Sequence, residues 1–140
     1  MLLRISVVLC CLGLLATTCP AQTSLAALLK ASKWQKRVLL LCAPTADDAN
    51  LRRQQQLLGP VGADMNSRDL LVREVLFDHL SDPDRRYLRE QLGVKTTGFT
   101  VLLIGKDGGV KQRAGTPLPP ARLFTTIDAM PMRRQEMRRP

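Results

Sequence analysis

Cysteine is scarce in the part of this sequence where it would carry chemistry. Four cysteines occur among the 140 residues, and Cys10, Cys11 and Cys19 all lie in the first twenty. Only Cys42 lies beyond them, so residues 22–140 contain neither a partner for an internal disulfide nor a CxxC pair for dithiol redox cycling. These roughly 120 residues must therefore fold by burying hydrophobic side chains, and they suffice for one compact domain.

Aromatic residues are also scarce, at 4% of the chain, although the formal net charge is +9. Basic proteins that bind single-stranded nucleic acid interleave aromatic side chains with their cations, so nucleic acid is not expected as a partner. An anionic polymer of the cell envelope or an unidentified protein is the expected partner instead.

The C-terminus concentrates the positive charge. A basic tail is predicted at residues 131–140, and Glu136 is its one acidic residue. A solvated, frayed terminus is the simpler interpretation of this segment, and electrostatic attachment to an anionic partner is the functional one. The candidate binding residues are four arginines: Arg133, Arg134, Arg138 and Arg139.

An apolar run at residues 5–16 is too short for a membrane span, which needs roughly 18 residues. Arg4 precedes the run and small residues follow it, so residues 1–21 predict a secretory signal peptide that is cleaved after Ala21. An uncleaved anchor and a lipid-modified Cys19 are the alternatives. The expected location is secreted or periplasmic, with no transmembrane segment left after cleavage.

Beyond residue 24 the pattern alternates helices with strands, which predicts an α/β fold with a partly parallel sheet. The run at 38–42 is continuously apolar, as expected of a central strand that is covered on both faces. Charged side chains on the strand that returns from the Lys106–Gly109 hairpin predict a sheet edge. The predicted order is helix 25–32, strand 38–42, helix 45–58, strand 70–77, helix 82–92, strand 100–105, strand 110–113 and helix 120–130.

The turn after the first strand carries two acids, Asp47 and Asp48. They are candidates for metal binding or proton transfer, whereas the simpler interpretation is helix capping, with Thr45 and Asp48 at capping-box spacing. The one histidine, His79, is distant in sequence, and no acid-rich cluster completes a ligand set. No metal or other cofactor is therefore predicted.

Cys42 lies inside the first strand rather than in the turn that follows it. Apolar surroundings raise the pKa of a thiol and suppress the reactive thiolate, so a core position is expected. The alternative function is a one-cysteine thiol or peroxide reductase that uses Cys42 as its nucleophile.

Three segments carry a resemblance to a known family: Arg37 to Pro44 with Asp47-Asp48 after it, Gly98 to Lys111, and Ile127 to Arg139. They resemble a thioredoxin-like domain of unknown function found in exported bacterial proteins. That domain is related to a module of vertebrate sushi-repeat and other extracellular-matrix proteins. The resemblance implies a thioredoxin-like three-layer sandwich over residues 22–130, in which helices flank a central mixed sheet of about four strands. It also implies a link to peroxiredoxin-type proteins.

This sequence departs from working redox members of the fold at their active site. Thioredoxins keep reactive cysteines in the turn that here reads Thr45 to Asp48, and Thr97-Gly98-Phe99 stands in place of their cis-proline. Peroxiredoxins place a cysteine three residues after a threonine, and that position after Thr45 is Asp48. The sequence therefore predicts a degenerate active-site turn, formed by Thr45, Asp47, Asp48 and Phe99, in a noncatalytic binding module at the cell envelope.

Overall fold

The computed structural model describes residues 23–139. The predicted signal peptide and its three cysteines lie outside the described residues. Two short 3-10 turns, Gly59–Val61 and Phe77–His79, interrupt the alternation of helices and strands. The elements in chain order are α1 (Leu25–Ser32), β1 (Arg37–Ala43), α2 (Ala49–Leu58), α3 (Gly62–Asn66), β2 (Leu70–Leu76), α4 (Asp82–Glu90), β3 (Thr100–Ile104), β4 (Val110–Ala114), α5 (Pro120–Asp128) and α6 (Pro131–Arg138).

The four strands form one mixed sheet in the order β2-β1-β3-β4. Strand β1 runs parallel to β2 and antiparallel to β3, and β4 pairs with the outer side of β3. The predicted α/β fold with a mixed four-stranded sheet is confirmed, and β4 lies at the edge as its charged side chains predicted. Because β3 runs against the other two strands, the starts of β1 and β2 lie at the same end of the sheet as the end of β3.

Strand β1 organises the core because all seven of its residues are buried. Leu39 and Leu41 face a cluster that α2 and α5 cover with Leu51 and Ile127. The alternate residues of β1 face a second cluster, which α1 and α4 complete. Burial on both faces explains why this strand has a continuous rather than an alternating apolar sequence.

Helix α2 begins later than its sequence predicts. Thr45 does not cap it. The carbonyl of Thr45 accepts a 3.3 Å hydrogen bond from the N–H of Asp48 in a tight turn, and the helix starts at Ala49 with Asp48 as its N-cap. The helix ends at Leu58 as predicted, but the short helix α3 that follows was not predicted.

Helix α4 begins as predicted, with the Ser81 hydroxyl accepting from the N–H of Asp84 at 3.3 Å. It ends at Glu90 rather than Leu92, ahead of Gly93, whose φ of +61° explains the glycine. The polar face of this helix predicts that Arg85 points to solvent, but that prediction is wrong, because its guanidinium donates to the carbonyl of Phe77 at 2.6 Å.

The C-terminal segment is ordered as a helix. Residues Pro131–Arg138 form α6, so the interpretation of this stretch as a frayed terminus is wrong. A proline in the first turn suits a helix start, because its missing N–H would have no intrahelical acceptor there. Within residues 23–139, no helix combines the length and the apolar character needed to cross a membrane.

Candidate functional site

The turn between β1 and α2 is the first candidate site, and the structure gives both of its acids local roles. The carboxylate of Asp48 accepts hydrogen bonds from the N–H groups of Asn50 and Leu51 at 2.9 and 3.0 Å. Asp47 is exposed and pairs with Arg52. Both acids therefore stabilise the start of α2, one as its cap and the other as a surface ion pair.

Phe99 lies at the same end of the sheet as this turn, because the pairing of Cys42 with Thr100 places it beside Ala43. Its side chain is only 6% exposed and belongs to the core cluster beneath α2 and α5. Thr45 is exposed. The register thus places Phe99 at the same end of the sheet as Thr45, Asp47 and Asp48, but its side chain packs into the core.

Cys42 is fully buried, as its position within the strand predicts. Its neighbours are apolar residues such as Val75, Phe77 and Leu88. Burial raises the pKa of the Cys42 thiol to about 12, and the positive charge of Arg113 offsets that rise only in part. A thiol with this pKa is almost entirely protonated near neutral pH and therefore a poor nucleophile.

A second candidate is a cavity of about 390 Å³ between α1, β2 and the start of α4. His79 lies on its wall, but the imidazole is exposed and pairs with the neighbouring Asp78 at 3.4 Å. Within residues 23–139, no three histidine, cysteine or acidic side chains come together as metal ligands would. Among the described residues, the lining of the cavity therefore offers no metal site.

The opposite end of the sheet carries a cluster that the sequence did not predict. Arg37, the first residue of β1, is fully buried. Its guanidinium donates to both carboxylate oxygens of Glu136 at 3.2 Å and to the carbonyl of Arg68 at 2.8 Å. This bidentate geometry is the strongest form of ion pair between arginine and a carboxylate, and it fastens α6 to the first strand.

Lys106 joins the same cluster from the hairpin after β3. Its ammonium donates to Glu136 at 2.7 Å and to Asp69 at 2.8 Å. Burial by itself raises the pKa of Glu136, but the hydrogen bonds from Lys106 and Arg37 outweigh it and hold that pKa below its usual value. We call Arg37, Asp69, Lys106 and Glu136 the Arg37–Glu136 network.

A second ion-pair cluster holds the beginning of α6. The carboxylate of Asp128 accepts from Arg68 at 2.8 and 3.1 Å and from Arg133 at 3.2 Å. Arg133 also donates to the carbonyl of Ser67 at 2.9 Å, and only 14% of its side chain is exposed. Arg133, one of the four candidate binding residues, is therefore engaged in contacts within the fold.

The outward side of the C-terminal segment has a different character. Arg134, Arg138 and Arg139 are exposed and have no salt-bridge partner within the described part of the chain. Lys30 and Lys33, near the end of α1, are likewise exposed and unpaired there. The five cations lie at the sheet end that holds the Arg37–Glu136 network, and we call them the basic end: Lys30, Lys33, Arg134, Arg138 and Arg139.

Sequence reasoning missed the Arg37–Glu136 network because its contacts are remote along the chain. Arg37 and Glu136 lie 99 positions apart, and Lys106 and Asp69 lie 37 apart. No helical or strand periodicity relates such residues. The one sequence signal of this network was Arg37 itself, a charged residue directly before the continuously apolar run at 38–42. Its position does not identify a partner.

Comparison with known proteins identifies the family and the fold. Residues 28–136 match the family model described as a domain of unknown function, DUF4174, so the chain belongs to that family. A reduced 2-Cys peroxiredoxin of Plasmodium vivax is 13% identical and has a TM-score of 0.57, with 78% of this chain and 84% of that chain covered. A DsbH oxidoreductase is 19% identical, with a TM-score of 0.51 and coverage of 76% and 80%. These likenesses confirm the thioredoxin-like fold.

Proposed function

We propose that this DUF4174 protein is an exported, noncatalytic thioredoxin-like module that binds an anionic surface of the cell envelope through its basic end. The observation that carries the proposal is the docking of α6. Arg37 and Lys106 fix Glu136 on one side of the helix, which leaves Arg134 and Arg138 exposed. Cations on an ordered helix keep their spacing, whereas those on a frayed terminus do not.

The buried thiol supports the noncatalytic part of the proposal. A reductase that used Cys42 would need an accessible thiolate, but the side chain is fully buried and its pKa is raised to about 12. The turn that holds cysteines in thioredoxins is filled by Asp48, whose carboxylate is already engaged as a helix cap.

Thiol labelling tests the noncatalytic part. A thiol reagent applied near neutral pH should modify Cys42 at least a thousandfold more slowly in the native protein than in denaturant, because burial and the raised pKa both oppose reaction. Fast native labelling would instead support the alternative, a one-cysteine thiol or peroxide reductase.

Charge substitutions test the binding part. A triple variant with Arg134→Gln, Arg138→Gln and Arg139→Gln should elute from an anionic matrix at lower salt than the parent protein. The matched control carries Arg53→Gln, Arg86→Gln and Arg89→Gln on α2 and α4, which are also exposed and have no ion-pair partner among the described residues. Both variants lose three charges, so equal elution would mean that net charge alone governs binding and would contradict the proposal.

Point substitutions are required because deletion of α6 would confound the result. Removing residues 132–140 would also remove Glu136 and leave the buried Arg37 without its counter-charge. Loss of binding by such a deletion would then report unfolding as readily as loss of the surface cations.

A further inference from the structure

Exposed apolar side chains occur at the same end of the sheet as the cations of the basic end. Among residues 23–139, four large hydrophobic residues are exposed: Trp34, Leu71, Val110 and Met137. Leu71 pairs with Val38 at the start of β1, and Val110 pairs with Ile104 at the end of β3. Met137 follows Glu136, which binds Arg37. All four thus lie at the end where β1 begins, with Leu71 and Val110 on the two opposite edge strands of the sheet, β2 and β4.

Trp34 is the largest of the four and is 58% exposed. The backbone N–H of Trp34 donates to the carbonyl of Lys106 at 2.6 Å, which fixes the loop between α1 and β1 beside the hairpin. The ammonium of Lys33 lies 5.4 Å from the centre of the indole ring. An anchored backbone therefore presents an indole to solvent with a lysine alongside it.

The backbone at Trp34 is not one that tryptophan favours. Its φ is +67°, in the left-handed region that glycine and asparagine adopt more readily. A tryptophan that is both exposed and strained gains little from burial in its own fold. Its presence at this position is better explained by a contact outside the fold, since strained residues persist at binding sites.

Indole rings with flanking lysines and arginines are typical of the interface between lipid headgroups and acyl chains. The ring buries apolar area there, while the cations remain with the anionic headgroups. A soluble polyanion would engage the cations but would offer the indole no apolar layer. The exposed indole of Trp34 beside Lys33, at the end of the sheet that carries the basic end, therefore favours a membrane over a polymer.

We infer that Trp34 inserts into the interface of an anionic phospholipid bilayer, with the cations of the basic end on the surrounding headgroups. This inference rests on the proposed function, for which it selects phospholipid as the anionic surface. The anchored end is the one at which β1 begins, so the Thr45–Asp48 turn at the other end of β1 faces away from the bilayer.

Trp34 is the only tryptophan in the chain, so its intrinsic fluorescence reports the contact directly. The probe is a vesicle of equal parts phosphatidylglycerol and phosphatidylcholine. We expect emission to move to shorter wavelength on titration and to be quenched when the acyl chains carry bromine. Pure phosphatidylcholine vesicles and dextran sulfate should produce neither effect.

Variants separate insertion from charge. Trp34→Asn should lower affinity for the anionic vesicles about tenfold, since half of a large apolar side chain loses its contact. Lys33→Gln should lower it about fivefold, whereas Arg86→Gln on α4 should leave it unchanged. Because asparagine tolerates a positive φ, Trp34→Asn should keep or slightly raise the unfolding midpoint, so weaker binding cannot be attributed to misfolding. All proteins are compared in the same N-terminal form, so that any contribution of residues 1–21 is common to them.

The possible outcomes distinguish the inference from the proposed function. A blue shift with anionic vesicles together with weaker binding by Trp34→Asn supports the inference. Equal binding by Trp34→Asn, or binding to dextran sulfate without binding to vesicles, overturns it while leaving attachment to an anionic surface intact. Binding to neither vesicles nor dextran sulfate overturns both.

Discussion

Arg37 and Glu136 join the first strand of the sheet to the last helix by two hydrogen bonds of 3.2 Å each. The arginine side chain is 1% exposed and the glutamate side chain 26% exposed, so water screens the pair poorly. Glu136 also receives Lys106 at 2.7 Å. Glu136 therefore pairs with two cations and shares the second of them, Lys106, with Asp69.

Replacing Glu136 by glutamine should destabilise the protein by about 2–4 kcal/mol, because the amide keeps the shape but leaves the guanidinium of Arg37 without a counter-charge. Urea denaturation followed by circular dichroism measures the change. Arg134→Gln is the matched control on the same helix, and it should change stability by less than about 0.5 kcal/mol because Arg134 is exposed. Equal stabilities for the two variants would contradict a structural role for the pair.

Stability should fall in acid. A hydrogen bond from Arg68 holds the pKa of Asp128 below its ordinary value of 3.8, and one from Lys106 does the same for Asp69. As the pH drops, the unfolded chain takes up protons on these carboxylates before the folded chain does. The contribution is therefore complete above the ordinary value and is lost as the pH falls through the folded pKa.

Urea denaturation at a series of pH values checks this dependence. In the parent protein, the free energy of unfolding should decrease below the ordinary aspartate pKa of 3.8. In the Asp128→Asn variant it should decrease less steeply with falling pH, because one titrating group is gone. A variant slope equal to that of the parent protein would show that Asp128 does not contribute to the acid dependence.

The two acids of the turn after β1 should differ in their effect on stability. Asp48→Ala removes the cap of α2 and should cost about 1 kcal/mol. Asp47→Ala removes only an exposed ion pair and should cost less than about 0.5 kcal/mol. Thermal unfolding of the two variants measures the difference, and Asp48→Asn, which preserves a capping oxygen, should restore most of the loss. A larger cost for Asp47→Ala than for Asp48→Ala would contradict these roles and favour two acids that act together.

Gln54 on α2 binds the loop before α5, and its substitution should destabilise the protein. Its buried amide donates to the carbonyl of Leu118 at 3.0 Å and accepts from the N–H of the same residue at 2.7 Å. Gln54→Leu leaves both backbone groups buried without a partner and should cost about 2–4 kcal/mol. Gln56→Leu, on the exposed side of the same helix, should cost less than about 0.5 kcal/mol in the same denaturation assay.

Local features of the fold could be predicted from the sequence. Helix α1 occupies Leu25–Ser32 as expected, and the apolar run of β1 identified the central strand. The start of α2 was predicted too early because Thr45 and Asp48 are both favourable capping residues. The path of the backbone after β1 determines which of the two residues caps the helix, and the local sequence pattern does not encode that path.

The charge clusters at the start of β1 could not be predicted, because their partners come from different elements. Arg133 belongs to the predicted cluster of C-terminal arginines, yet it points inward to Asp128 while Arg134 points outward. Composition reports how many arginines are present, whereas only packing separates those that hold the fold from those that remain free.

The burial of Arg37 also couples the core to a distant part of the chain. Its counter-charge, Glu136, lies 99 positions further along the sequence. A core that closed before α6 docked would enclose an uncompensated guanidinium, so we expect α6 to dock as the core closes rather than after it. The helix thus belongs to the cooperative folding unit and is not an appendage to it.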